Sequence, residues 1–137
     1  MTDTIHSKNA PDPVGLYPHA KRLGNLLFLS GIGPREKGSK EIPGVKLDAE
    51  GKVVARDIEA QCHSVFKNVK AVLEDAGSSW DKLVDVTVFL THMKEDFPIY
   101  NKIYGEYFRS NQPCRTTVEV KSLPTPIAIE LKCIAYV

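Results

Sequence analysis

Residues 57–77, DIEAQCHSVFKNVKAVLEDAG, followed at 83–90 by LVDVTVFL, decide the fold class, because the spacing of apolar residues changes between them. In the first stretch Cys62, Val65, Phe66, Val69, Val72, Leu73 and Ala76 recur at steps of three and four, one face of an α-helix. Gly77 stands where such a helix ends, since a glycine there can take the left-handed conformation of a C-cap. In the second, Val84, Val86, Val88 and Leu90 alternate with Leu83, Asp85, Thr87 and Phe89, the period of a strand with one strongly apolar face. A helix feeding a strand is the unit from which an α/β layer is built.

Toward the C-terminus, Asp96 is the expected N-cap of a second helix, with Pro98 in its first turn. Phe97, Tyr100, Ile103, Tyr104, Tyr107 and Phe108 then give that helix an aromatic stripe. The Asn111-Gln112-Pro113 turn leads into two alternating runs, Thr116–Leu123 and Ile127–Val137, separated by Pro124-Thr125-Pro126. Toward the N-terminus, Gly24–Gly31 (GNLLFLSG) reads as a strand apolar on both faces, and Val45–Val54 as a hairpin around Asp48-Ala49-Glu50-Gly51. The sum is one α/β sandwich over residues 1–137, with two helices on one face of a mixed sheet. Two helices cannot cover both faces, yet Ile134 and Tyr136 lie opposite Ile129 and Leu131. We therefore expect the second face to be buried against sister subunits.

Composition narrows the function. With 137 residues, 42% of them hydrophobic, the chain can bury an ordinary core without disulfides or metal. A formal charge of +1 with no basic run argues against a nucleic-acid or anionic-membrane partner. No apolar run approaches the roughly 20 residues of a spanning helix, and Met1–Pro13 lacks a secretory core. Cys62, Cys114 and Cys133, an odd number, read as reduced thiols, and the expected location is cytoplasmic.

General catalytic signatures are absent. Pro113-Cys114 is followed by no second cysteine, so the zinc motif of nucleic-acid deaminases is missing. Cys62 and His63 diverge by about 100° on a helix and cannot share an ion. No metal or cofactor is expected. Gly31-Ile32-Gly33-Pro34-Arg35-Glu36-Lys37-Gly38 fits neither a dinucleotide nor a Walker pattern and reads as a flexible turn after a strand. Glu130, inside Ala-Ile-Glu-Leu-Lys-Cys-Ile-Ala (residues 128–135), stands out: a carboxylate on a central strand is either paired or functional. Arg115, at the mouth of the preceding strand, is its natural partner or neighbour, and a salt bridge at a subunit contact is the structural alternative.

Ser30-Gly31, the helix opening Asp57-Ile58-Glu59-Ala60-Gln61, Val86–Leu90, and Pro113-x-Arg115-x-x-Val118-x-Val120-x-x-Leu123-Pro124 running into Ile129-Glu130-Leu131-x-x-Ile134-Ala135 together resemble the Rid (YjgF-type) family over almost the whole chain. The resemblance implies a chorismate-mutase-like homotrimer with pockets between subunits, and hydrolytic deamination of enamine or imine carboxylates. It assigns Arg115 to the substrate carboxylate and Glu130 to the attacking water. Tyr17, Gly31 and Phe89 are assigned to the pocket, although Tyr17 and Phe89 also suit simple packing. Thr117 departs from many members, which carry cysteine there. Gly15–Arg22 and Ser30–Arg35 further resemble 2-aminomuconate deaminases, whose substrate bears a second carboxylate; the alternatives are a general 2-iminobutyrate or 2-iminopropanoate deaminase and a non-catalytic acid-binding trimer. Among His19, Arg22, Arg35 and His92, Arg35 is the preferred candidate for that second charge, with His19 also counted as substrate-binding.

Overall fold

The computed structural model describes residues 2–137. Eight strands and two helices follow one another as β1 (Thr2–Ile5), β2 (Ala20–Leu23), β3 (Leu26–Leu29), β4 (Val45–Leu47), β5 (Val53–Arg56), α1 (Ile58–Asp75), β6 (Leu83–Leu90), α2 (Met93–Tyr107), β7 (Cys114–Glu119) and β8 (Ile129–Tyr136). Six strands form one sheet in the order β1-β2-β3-β8-β6-β7, while β4 and β5 form the separate hairpin expected around Gly51. Only β6 and β7 run parallel, joined by the α2 crossover, so the sheet is mixed. The α/β sandwich expected from the periodicity is the observed fold.

Both helices pack on one face. Val86, Val88 and Leu90 of β6 and Ile129, Leu131, Cys133 and Ala135 of β8 point to that face in register, and all are essentially fully buried with Phe66, Val69 and Leu73 of α1. The Asp57 carboxylate accepts from the Ala60 N–H at 3.2 Å and caps α1, which ends before Gly77 at φ 81°.

The opposite face is uncovered in the single chain. In β3, Leu27 and Leu29 are fully buried but Leu26 is 44% exposed, so burial on both faces is not achieved within one copy. Leu23, Leu26 and Tyr136 align across three strands as an exposed apolar row.

Two local expectations change. A bulge between Leu83 and Asp85 resets the alternation of β6, so that Leu83 turns into the core and Val84 outward, 43% exposed. Helix α2 begins at Met93 rather than after Asp96, because Glu119 of β7 accepts from the Met93 N–H at 2.9 Å and supplies a cap from a distant strand. Asp96 lies within the first turn, buried, and pairs with Arg56 of β5 at 2.9 Å. Burial pushes its carboxyl above the usual range, an effect that the Arg56 charge partly opposes.

Candidate functional site

Glu130 is the second residue of β8, in register with Phe89, and this pair belongs to the uncovered face. Beside it lies a cleft of about 420 Å³ lined by Tyr17, Ser30, Gly31, Arg35, Glu130 and Lys132. Burial pushes the Glu130 carboxyl above its ordinary value, and among the described residues it has no hydrogen-bond or ionic partner. A half-buried acid facing an open cleft holds its proton more tightly than a free glutamate and can both accept and return one.

Gly31 makes the placement possible. A Cβ at that position would lie 2.6 Å from Glu130 Oε2, so any larger residue would displace the carboxylate. The stretch after β3 is not the flexible turn expected from its glycines. Ile32 exchanges hydrogen bonds with Leu131 of β8, at 2.8 and 2.9 Å. From the other side α1 holds it: Ser64 Oγ donates to the Pro34 carbonyl at 2.7 Å, and Asn68 Nδ2 donates to the carbonyls of Gly33 at 2.9 Å and Arg35 at 2.6 Å. Gln61, one turn earlier and fully buried, accepts from the Ala128 N–H at 2.8 Å and donates to the Gly44 carbonyl at 3.1 Å. One polar stripe of a helix thus fixes both strand ends that flank Glu130. Sequence reading missed this stripe; its signal was the placement of Gln61 and Asn68 seven residues apart, beside the apolar face.

Tyr17 is 40% exposed at the cleft wall, and its hydroxyl accepts from the Val14 N–H at 3.3 Å. Arg35 reaches the cleft while Nη2 donates to the Asp12 carbonyl at 2.6 Å. His19 is buried behind Gly31, with Nδ1 accepting from the Ser7 N–H at 2.9 Å and Nε2 donating to the Pro11 carbonyl at 2.8 Å. Both ring nitrogens are therefore committed to the backbone, which withdraws His19 from direct substrate binding and makes it a strut for the N-terminal segment. Arg22 and His92 line other parts of the surface. Lys132, on the same face as Glu130, is a cleft residue that the sequence reading did not single out.

Arg115 does not meet Glu130 within the chain, contrary to expectation. It pairs in register with Val86, whose side chain is buried beneath the helices, so Arg115 leaves the opposite face of the sheet from Glu130. β6 also separates their strands. The Arg115 guanidinium lies 4.7 Å from the Tyr104 ring centroid and 5.6 Å from that of Tyr100, and it donates to Asn101 Oδ1 at 2.8 Å. Thr117, on the same side, is within 3.2 Å of the Tyr100 hydroxyl. Arg115 is thus held rigid and exposed on an edge strand, with its charge unneutralised by any carboxylate among the described residues. No group of three or more potential metal ligands occurs among the described residues.

Comparison with known proteins matches this arrangement to one family. The family model described as Endoribonuclease L-PSP matches residues 7–137. The chain is 39% identical over 136 residues to RutC family protein PH0854 of Pyrococcus horikoshii, covering 99% of this chain and 98% of that one. The crystal structure of the conserved Rid-family protein YyfA from Yersinia pestis superposes with a TM-score of 0.83 at 36% identity, covering 100% of both chains. E. coli TdcF, crystallised with bound serine, gives 0.84 at 30% identity over 98% of each chain. Fold and extent agree, and the chain belongs to the Rid (YjgF, endoribonuclease L-PSP) family.

Proposed function

We propose that this protein hydrolyses enamine or imine carboxylates to 2-oxo acids and ammonia, in a pocket completed between copies of the chain. The observation that carries the proposal is the unpartnered, half-buried Glu130 carboxyl held against Gly31 in an open cleft. That Arg115 is fixed at a sheet edge and faces away from its own Glu130 supports a site in which it serves a neighbouring copy. The homotrimer with sites at its subunit interfaces, implied by the family resemblance, brings the two together and buries the apolar row of Leu23, Leu26 and Tyr136. The serine bound to TdcF is a small carboxylate of the same general kind.

The chemistry requires only positioning and proton transfer. The Arg115 fork grips the substrate carboxylate through two parallel hydrogen bonds and presents C2 to the cleft. Protonation at C3 of an enamine, or at the nitrogen of an imine, gives the iminium ion. Water attacks C2 while Glu130 takes one of its protons, forming a carbinolamine. Glu130 returns that proton to nitrogen, the C–N bond breaks toward nitrogen, and ammonia leaves with the second water proton lost from the hydroxyl as the carbonyl forms. Tyr17 and Phe89 furnish aromatic walls.

Within this class, the likeness of Gly15–Arg22 and Ser30–Arg35 to 2-aminomuconate deaminases favours 2-aminomuconate, giving 2-hydroxymuconate or its 4-oxalocrotonate tautomer in the breakdown of aromatic compounds. The test is ammonia release from enzymatically generated 2-aminomuconate beside 2-iminobutyrate. Faster turnover of the first supports the specific substrate, and faster turnover of the second makes the protein a general imine deaminase. Release from neither, with ligand still protecting the fold, leaves a small-acid-binding trimer in place of an enzyme. A formal charge of +1 gives little support to RNA as the substrate.

A further inference from the structure

We propose that Lys132 is the specificity residue of the Glu130 cleft and selects substrates carrying a second anionic group. The inference rests on the cleft's being the substrate site. Lys132 follows Glu130 by two positions on β8, so both side chains leave the uncovered face, and both line the same cleft. Lys132 Nζ donates to the Leu29 carbonyl at the end of β3, which anchors the ammonium beside Ser30 and Gly31. An ammonium has three donors; that contact uses one and leaves two for a ligand.

The charge of the cleft points the same way. Its ionisable lining consists of Tyr17, Arg35, Glu130 and Lys132. Neither Arg35 nor Lys132 has a carboxylate within salt-bridge distance among the described residues. Their polar contacts are to backbone carbonyls, of Asp12 and Leu29, which orient a cation without cancelling its charge. Glu130 alone could offset them, and its resistance to ionisation weakens even that. The cleft is therefore cationic before Arg115 of any other copy is counted. A monocarboxylate gripped by Arg115 leaves this charge unanswered, whereas a dianion answers both ends. Of the two cleft cations, Lys132 is the one carried on a central strand, where its origin is fixed by pairing on both sides.

The experiment compares binding of trans,trans-muconate and sorbate, which share a six-carbon trans,trans diene and differ in the second carboxylate, by calorimetry at low salt. The wild-type protein should bind muconate about tenfold or more tightly than sorbate, and Lys132→Gln should bring that ratio below about threefold. Lys132→Arg, retaining charge, should keep most of the preference. Added salt should erode the wild-type ratio, a readout that stands even where Lys132→Gln does not fold. A wild-type ratio near one, a preference that survives in Lys132→Gln, or a ratio indifferent to salt overturns the proposal. The deaminase reading fails separately, by absence of ammonia release from any imine, because the binding ratio does not depend on turnover.

Discussion

Glu130 and Arg115 stand in different relations to their own chain. Glu130 already has its environment: burial on β8, the space left by Gly31, and the cleft in front. Gly31→Ala puts a methyl group where the carboxylate lies, so activity should fall by about tenfold or more while the melting temperature barely moves, since position 31 is exposed. Glu130→Gln should preserve the oligomer and remove most turnover. In the wild type the acid limb of kcat/KM should lie above the ordinary glutamate value of 4.5, the direction that burial imposes, and it should vanish from whatever activity the amide retains. The stability sign is opposite. A raised carboxyl contributes most while protonated, and that contribution is lost as pH climbs from the unfolded value through the folded one. Arg115 is preorganised on Tyr104 and Asn101 but has no local carboxylate to grip. Arg115→Ala should lower kcat/KM by on the order of 10²-fold with the oligomer intact, and Arg115→Lys should recover part of it. Steady-state ammonia release with a sizing run decides; a loss within about threefold removes the anchor role, and dissociation reinstates the salt-bridge alternative. Both residues were legible in the sequence. Their opposite faces were not, because side-chain parity on β7 depends on its parallel register with β6, a contact that no local pattern encodes.

At the scale of elements, α1 serves two purposes on two stripes. Its apolar stripe, read correctly from the spacing of Cys62 through Leu73, builds the core and pushes the Cys62 thiol up to about 12, so this cysteine should resist alkylation under conditions that label the exposed Cys114. Its polar stripe of Gln61, Ser64 and Asn68 ties down the strand ends around the cleft. Asn68→Ala leaves the carbonyls of Gly33 and Arg35 without their donor, and should cost about 1–3 kcal/mol in urea unfolding. It should also reduce kcat more than it changes KM, since the Gly31 backbone then no longer holds Glu130 in one place. A loss of stability with unchanged kinetics would make the stripe purely structural. The strands and both helices were visible in the apolar period. The start of α2 and the bulge in β6 were not, because Glu119 reaches α2 from β7 and the bulge answers to its pairing with β8.

The whole molecule leaves one sheet face bare, with Leu23, Leu26 and Tyr136 in a row, and the sequence had already indicated a surplus of apolar strand surface. We expect sedimentation at micromolar concentration to report a trimer, and Leu26→Glu, placing a charge in that row, to shift the mass toward the monomer; a wild-type protein that sediments as a stable monomer removes the shared-site mechanism with it. What joins the two halves of the sheet is β8, seated between β3 and β6 although it follows every other element in the chain. During synthesis, therefore, the hairpin of β2 and β3 and the β6-α2-β7 crossover emerge from the ribosome with no strand to unite them, and their apolar edges stay open until Tyr136 is free.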